Sequence, residues 1–599
     1  MAAHQDDKEE ELITPSVSIS RIVFSGGDEV ELNPHDKVMI VGANNSGKSR
    51  SLREIRQLPS AQVRSVETVV IKDVSILKQG SQVEFEAYLE RKGKLDKNNV
   101  YLIGDWQINA GSLMNWSTDR LVGGVAEGFM KNLDANSRLS ICALQHSISV
   151  DQPPSCPQHL LYQSDKLMEH ASSLFKRAFG KELMVDFRGG NTIPIHVGDT
   201  PRGHGFEDRV SDKYSLAVRS QPRLDEQGDG MQSFAGILFH TVVSNRDITF
   251  IDEPEAFLHP PQMRRLGEIL STNVARQLFV ATHSSDILRG FLEGKKGEVR
   301  ILRIRREGSV NKIYEAPPSS IETLWSTPVL RYSSALDAIF HDQAIICEDD
   351  SDCRLLNSVA DHLQEAKGET WLDTAYVPMG GKSGIAKVAR VLRAVGVPVK
   401  AVYDFDLISV KHDFREAVEA FGGEWDSIST LWQRIFAAVN KEPQPTNSMI
   451  KEELRRIIDG SEDDELPKRP IEEAIRRKSP WARVKSDGFN GLPRGQLRDE
   501  AQQMLDKLEG IGIYLVPSGE MESFCPSVGG HGPAFVTTLL TTIPLDDKRL
   551  EELRKFTTKV HQGSAAPIES AGTIADRKKK AEAVEAKRNK QRLSGQSEQ

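Results

Sequence analysis

No apolar run in these 599 residues approaches the length that a bilayer-spanning helix needs. The start, Met1 to Glu11, is polar and acidic, unlike a secretory signal. Cysteine is scarce: Cys142, Cys156, Cys347, Cys353 and Cys525 show no CxxC pairing. That excludes the usual zinc spacings and a disulfide framework. A basic excess is missing too. The net charge of -9 leaves any nucleic-acid binding to local patches. These absences predict a reducing, cytoplasmic setting with no membrane partner. The chain is too long for one hydrophobic core, so two to four domains are expected.

What is present centres on Lys37–Ser49. An apolar β-type run, Lys37 to Val41, leads into Gly42-Ala43-Asn44-Asn45-Ser46-Gly47-Lys48-Ser49, a GxxxxGKS loop before a helix-compatible segment. Backbone N–H groups of Gly42, Asn44, Asn45, Ser46 and Gly47 would cradle a phosphate, aided by the helix N-terminus. Lys48 would reach the β/γ-phosphates, and the Ser49 hydroxyl would ligate Mg²⁺. The bland alternative is a chance Gly-rich turn. A strand in front and an intact GKS favour nucleoside triphosphate binding.

Around this loop, Val17 to Phe24 alternates like a strand, Ser25 to Asp28 supplies a turn, and Glu29 to Leu32 reads as a return strand. Thr68 to Ile71 and Gln82 to Tyr88 continue the alternation, which predicts further strands. From about 107 to 200 the pattern weakens. Helical spacing at Leu160 to Phe179 and short strands within Glu182 to Val197 suggest an insertion with a role in self-association. A second chemical stretch, Ile248 to Glu255, is an apolar strand ending in Asp252-Glu253-Pro254. Asp252 suits support of Mg²⁺ and Glu253 suits activation of water, both at a strand's carboxyl end. In isolation this is as readily a buried strand with an acidic turn. Gln277 to Ser285 is a third strand ending at His283, placed to contact a γ-phosphate.

GANNSGKS, IDEPEAFLHP and ATHSSDIL together resemble the ABC-type ATPases of the SMC and RecF group, over about 17–310. The resemblance implies a signature segment that caps ATP on an opposite subunit. Gly228-Asp229-Gly230-Met231-Gln232-Ser233 stands at its place, departing from the usual Ser-Gly-Gly-Gln wording. It also implies a glutamine loop, to which no residue is assigned.

Pro317 to Ser334 reads as a linker to a fresh α/β pattern. Strands are predicted at Gln343–Cys347, Thr374–Val377, Val399–Tyr403 and Ile513–Val516. They are followed respectively by Glu348, by Gly380-Gly381-Lys382, by Asp404-Phe405-Asp406 and by Gly519-Glu520-Met521-Glu522. In a parallel sheet these ends share one edge. Glu348, Asp404, Asp406 and Glu520 or Glu522 then converge, and hard divalent cations are their natural partners. Two Mg²⁺ ions there would suit phosphodiester cleavage. Each acid taken singly is more simply a solvated loop residue.

This half resembles a Toprim domain, Rossmann-like in fold. Glu348 with Asp352, and Asp404 with Asp406, match its motif, while Asp349 replaces the usual glycine. An ABC-type ATPase followed by Toprim resembles the OLD (overcoming lysogenisation defect) family of ATP-dependent nucleases. The nuclease subunit of the Gabija anti-phage system and some retron-associated effectors are built similarly. The resemblance implies ATP and Mg²⁺ (or Mn²⁺ or Ca²⁺ at the Toprim acids Glu348, Asp352, Asp404, Asp406, Glu520 and Glu522). It implies Glu253, Glu348, Asp404 and Asp406 as catalytic residues. Its implied partners are DNA, a second copy of the chain in a homodimer or higher oligomer, and a helicase or a reverse transcriptase with its noncoding RNA.

The expected organisation is a disordered tail at 1–14, an ATPase domain at 15–320 and a Toprim domain at 335–530 with a helical insertion at about 410–510. A charged, helical tail follows at 531–599. Within the insertion, 461–470 reads as a flexible loop. Lys468-Arg469, Arg476-Arg477-Lys478 and Arg483 to Lys485 around Trp481 could follow a DNA backbone or be a solvated helix face. Arg577-Lys578-Lys579-Lys580 lies in a tail of unassigned use. Two other readings stand beside the nuclease. Toprim also serves topoisomerases and primases, but topoisomerase action needs a nucleophilic Tyr in a separate cleavage domain, and none is found. The other is an ATP-gated sensor whose Toprim-like half binds metal or a partner without cutting, a reading that Asp349 keeps open.

Overall fold

In a computed structural model, residues 14–61, 67–149, 152–294, 299–326, 334–441, 446–460, 471, 474–475 and 480–568 are described. The chain divides into two compact units, Met1–Trp325 and Ser326–Glu569. Residues 1–13 of the expected tail at 1–14, residues 569–599 of the expected tail at 531–599, the loop at 461–470, and Arg476-Arg477-Lys478 lie outside the described residues.

In the first unit, β1 (Ser16–Phe24), β2 (Glu29–Glu31), β3 (Lys37–Val41), α1 (Lys48–Ser60), β4 (Ile71–Gln79) and α2 (Gln82–Lys92) come first. Then follow β5 (Met130–Leu133), α3 (Ala135–Ser140), α4 (Asp229–Leu238), β6 (Ile248–Asp252), α5 (Pro260–Asn273), β7 (Gln277–Ala281), α6 (Ser285–Gly294), β8 (Val299–Glu307) and β9 (Val310–Glu315). A six-stranded sheet runs β9-β8-β3-β7-β6-β5, and a three-stranded antiparallel sheet runs β2-β1-β4. All neighbours in the larger sheet are parallel except β8 and β9. The strands β3 and β7 are buried along their whole length, as a parallel sheet covered on both faces requires. Buried Gln277 joins the two sheets. Its amide accepts from Ile19 N–H at 2.9 Å and donates to the Ile19 and Asn33 carbonyls at 2.8 and 3.0 Å.

Three expectations for this unit are corrected. Gln82–Tyr88 is the start of a helix, not a strand. Ser81 and Glu84 form a reciprocal capping box, and Phe85 and Leu89, four apart, are the buried pair. The expected Thr68–Ile71 strand begins at Ile71. Buried Glu54 of α1 collects the N–H groups of Val69, Val70 and Ile71 at 2.8–3.0 Å and fixes where β4 starts. The supposed insertion at 107–200 supplies β5, an edge strand of the central sheet beside β6. Its short apolar length hid it.

The second unit contains β10 (Gln343–Cys347), α7 (Asp350–Lys367), β11 (Thr374–Pro378), α8 (Lys382–Ala394), β12 (Val399–Tyr403) and β13 (Ile513–Leu515). The sheet order is β11-β10-β12-β13, all parallel. Between β12 and β13 the described segments are helical: Lys411–Ala420, Trp425–Lys441, Asn447–Asp459, Ala482–Asp487 and Gln496–Gly510. Two differences stand out. The linker read at 317–334 is helical over Pro318–Ser326. Beyond 530, helices Pro533–Thr542 and Glu551–Gln562 are not tail. Phe535, Leu539, Leu553, Phe556 and Val560 are buried in the same core as Leu356 and Val359 of α7.

Candidate functional sites

Register places the first constellation. Ile40 lies opposite Ala281, and Ala281 opposite Asp252, so β3, β7 and β6 end level with one another. The loop Gly42–Gly47, Asp252-Glu253 and His283 therefore issue from one sheet edge. Gly42 has φ 145°, and a Cβ there would stand 2.5 Å from the Ile304 carbonyl oxygen, so glycine is required. Gly47, at φ 102°, opens α1. Asn44 and Asn45 are exposed on the loop's crest, while the Ser46 hydroxyl is buried without a partner among the described residues. A buried donor pointing into a Gly-rich loop fits an anionic phosphate group.

Lys48 folds over this loop, donating to the Gly42 and Ala43 carbonyls at 2.9 Å each. Burial pulls its ammonium below the ordinary lysine range, opposed by Glu253, Glu255 and Asp252. The Ser49 hydroxyl donates to Asp252 Oδ1 at 3.0 Å, pairing the two groups suited to Mg²⁺. Burial raises the Asp252 carboxyl and the Ser49 hydrogen bond opposes that rise. Glu253 is half exposed and has φ 48°, a left-handed conformation uncommon outside glycine. The His283 ring lies 3.8 Å from Glu253 and 3.1 Å from Glu255.

Glu255 is a site residue that the sequence reading passed over. It is buried and accepts from the Thr282 hydroxyl and the His283 N–H, both at 2.8 Å. It thereby fixes the turn that carries His283. The third acid of Asp-Glu-Pro-Glu was its signal. At the proposed signature segment, Gly228 caps α4 without a side chain, and the helix N-terminus is exposed. That leaves its first N–H groups free to meet an anion.

The second constellation sits at the carboxyl edge of the other sheet. Cys347 lies opposite Val402, so Glu348 follows β10 beside the end of β12. The Asp404 N–H donates to Glu348 Oε1 at 3.0 Å. Burial, with the charges of Glu348 and Asp406, pushes Asp404 up to about 8. Burial likewise pushes Glu348 and Asp352 up to about 7, and Asp404 and Glu522 add to the rise at Asp352. These mutual influences place Glu348, Asp352, Asp404, Asp406 and Glu522 in one neighbourhood. Carboxylates so crowded carry full charge only beside cations. Two lysines, one of them in the basic stretch Arg483 to Lys485, supply that charge. Lys382, at the start of α8, ion-pairs with Asp406, and Lys485 stands 3.7 Å from the same carboxylate.

Glu520, Glu522 and His531 form a tighter group, with one ligand atom of each within 4.8 Å of the others. His531 Nδ1 is 2.5 Å from Glu522, which also accepts from Gly532 N–H at 2.7 Å. The imidazole was not foreseen, because it lies beyond the last strand in a Gly-rich loop with no local motif. Asp349 has a structural task. It is the N-cap of α7, accepting from Ser351 N–H at 2.8 Å and Ser351 Oγ at 2.7 Å. Asp352 returns the contact from N3 at 3.3 Å.

Two family models match parts of the chain. Residues 203–289 match the family model described as "AAA domain, putative AbiEii toxin, Type IV TA system". Residues 339–406 match "Overcoming lysogenization defect protein-like, TOPRIM domain". The chain is also similar to the "Old nuclease" of Escherichia phage P2, at 25% identity over 171 residues. That stretch is 27% of this chain and 28% of the phage protein, so the match spans little more than a quarter of that relative. Two solved structures are the SMC head domain from Thermotoga maritima and an Smc head domain with an extended coiled coil from Pyrococcus furiosus. The first is 12% identical at TM-score 0.28, covering 50% of this chain and 99% of that one. The second is 10% identical at TM-score 0.31, covering 51% and 97%. An AAA-type ATPase model on the first unit, an OLD-like TOPRIM model on the second and the phage relative make this chain similar to the OLD family, an ATPase domain followed by a TOPRIM domain.

Proposed function

We propose that this protein is an ATP-hydrolysing, divalent-metal-dependent DNA endonuclease, nicking or cutting both strands, and that it serves anti-phage defence in the cytoplasm. The observation that carries the reading is the crowding of Glu348, Asp352 and Asp404, which burial and mutual repulsion hold well above the usual carboxylate range. A divalent cation relieves that repulsion, and oxygen-rich donors suit Mg²⁺, Mn²⁺ or Ca²⁺. Glu348, Asp352, Asp404, Asp406, Glu520 and Glu522 would hold such ions, with His531 as a further donor. Bound there, the metal supplies Lewis-acid stabilisation to a phosphodiester.

The chain's own groups do the rest. The Asp404 N–H orients Glu348. Lys382 and Lys485 place positive charge at the acids, where a DNA phosphate would approach. In the ATPase unit, Lys48 binds phosphate, Ser49 and Asp252 support Mg²⁺, and Glu253 takes the proton from the attacking water. His283 faces the γ-phosphate, steadied by Glu255. The exposed, uncapped start of α4 would complete ATP on a second copy, so the working form is a homodimer or larger assembly, with a helicase or reverse-transcriptase partner as further company. No helix among the described residues is long and apolar enough to cross a membrane.

A non-cleaving scaffold drew its support from Asp349, and helix capping accounts for that residue. The test is incubation of the purified protein with supercoiled plasmid, with and without Mg²⁺ and ATP. Metal-dependent conversion to nicked or linear DNA supports the nuclease. Intact plasmid under Mg²⁺, Mn²⁺ and Ca²⁺ favours the scaffold.

A further inference from the structure

Arg138 is completely buried, yet nothing in the sequence singles it out. It belongs to α3, a helix of six residues that follows the edge strand β5 and is capped by a box between Asp134 and Ser137. Its Nη1 donates to two successive carbonyls, Asp252 at 3.3 Å and Glu253 at 3.1 Å. Its Nε and Nη2 have no hydrogen-bond partner among the described residues. A guanidinium stripped of water is costly unless charge compensates it. Here Glu255, Asp134, Asp252 and Glu253 provide the field. A fully buried arginine with unused donors is a poor choice for stability alone.

What it grips matters. Glu253 has φ 48°, and its backbone is tied by its N–H to the Ala281 carbonyl at 2.9 Å. Its carbonyl accepts from Ala256 N–H at 3.0 Å as well as from Arg138. The arginine thus braces a left-handed backbone whose side chain must point at water.

The other face of α3 meets α4. A Cβ on Gly236 of α4 would lie 2.1 Å from the Arg138 carbonyl oxygen, so the two backbones touch there. The Cys142 thiol, just past α3, donates to the Gln232 carbonyl of α4 at 3.1 Å. One residue therefore joins the helix opened by the signature segment to the turn that holds Glu253.

We propose that Arg138 is a positioning residue for ATP hydrolysis, transmitting the seating of α4 to the orientation of Glu253. This rests on the ATPase reading above. The hydrogen bonds of Arg138 go to the backbone carbonyls of Asp252 and Glu253 and not to the loop Gly42–Gly47, so its loss should leave nucleotide binding in place and impair the chemical step. For Arg138→Met, kcat is expected to fall on the order of a hundredfold, as for a misplaced reacting group, with KM within about threefold. Arg138→Lys keeps the charge and one donor, and should recover part of the loss.

The decisive arm combines Arg138→Lys with Glu253→Asp, which keeps a carboxylate and a measurable residual rate. If Arg138 acts through Glu253, the double variant hydrolyses ATP no more slowly than Glu253→Asp alone. Additive losses would overturn the proposal, as would Arg138→Met with parental kcat, or KM and melting temperature moving together with kcat in Arg138→Lys. A parent without any ATP hydrolysis sinks the ATPase reading itself, a different outcome.

Discussion

At the scale of single residues, two predictions separate binding from chemistry in the first unit. Lys48→Ala removes the ammonium that lies over the loop and should weaken nucleotide binding on the order of tenfold or more, about the worth of a charge-assisted hydrogen bond. Glu253→Gln should retain ATP and lose hydrolysis, readable as bound nucleotide that does not turn over. Parental ATPase rates in both variants would refute the assignment.

A third prediction concerns pH. His561 is buried in the second unit, with its Nε2 against the Tyr376 hydroxyl at 2.8 Å and its Nδ1 without a partner among the described residues. Burial, with the nearby Lys400 ammonium, pulls it down to about 4. The unfolded chain then binds a proton below about 6.5 that the folded chain refuses until about 4. Stability is full above that window and falls as pH drops through it, by a total on the order of 3 kcal/mol. Urea unfolding from pH 7.5 to 4 should show this slope in the parent and a shallower one in His561→Gln. Equal slopes would contradict it.

At the scale of elements, Asp349 offers a clean discrimination. As N-cap of α7 it should cost about 1 kcal/mol on change to Ala, with Asp349→Asn milder. Metal affinity, followed by calorimetric titration, should stay near parental in both. A large loss of affinity would return Asp349 to the ligand set. Here the limits of sequence become physical. Strands that are buried along all or nearly all of their length and end in motif residues, β3, β6, β7, β10 and β12, were legible because a parallel strand is an unbroken apolar run followed by its functional turn. Gln82–Tyr88 misled because Val83, Phe85 and Ala87 alternate, while the helix is decided by Ser81, Glu84 and the Phe85–Leu89 pair. Strand β5 escaped because an edge strand of four residues, MKNL, carries two polar positions. Of the sites, the strand-end acids were visible. Glu255, Arg138, Lys382 and His531 were not, since their partners come from distant segments, and Lys485 was legible only as part of a basic stretch.

At the scale of the whole molecule, the proposed function has the exposed start of α4 meet ATP on a second copy, for which a closed pairing is the simplest arrangement. Light scattering should find a dimer or larger species, with ATP favouring it most in Glu253→Gln. A monomer under all nucleotide conditions would remove the shared-site premise. The central claim is a division of labour between the two units, and one paired assay tests it most directly. ATP hydrolysis and plasmid cleavage are measured on the same preparation of Asp404→Ala, beside Asp406→Ala and Glu348→Gln. Loss of a ligand from a site that steadies both attacking and leaving oxygens should lower cleavage on the order of a thousandfold or more. ATP hydrolysis, whose groups all lie in the first unit, should stay within about twofold of the parent when the change is made in the second unit. Cleavage that persists near the parental rate in all three variants would contradict the account.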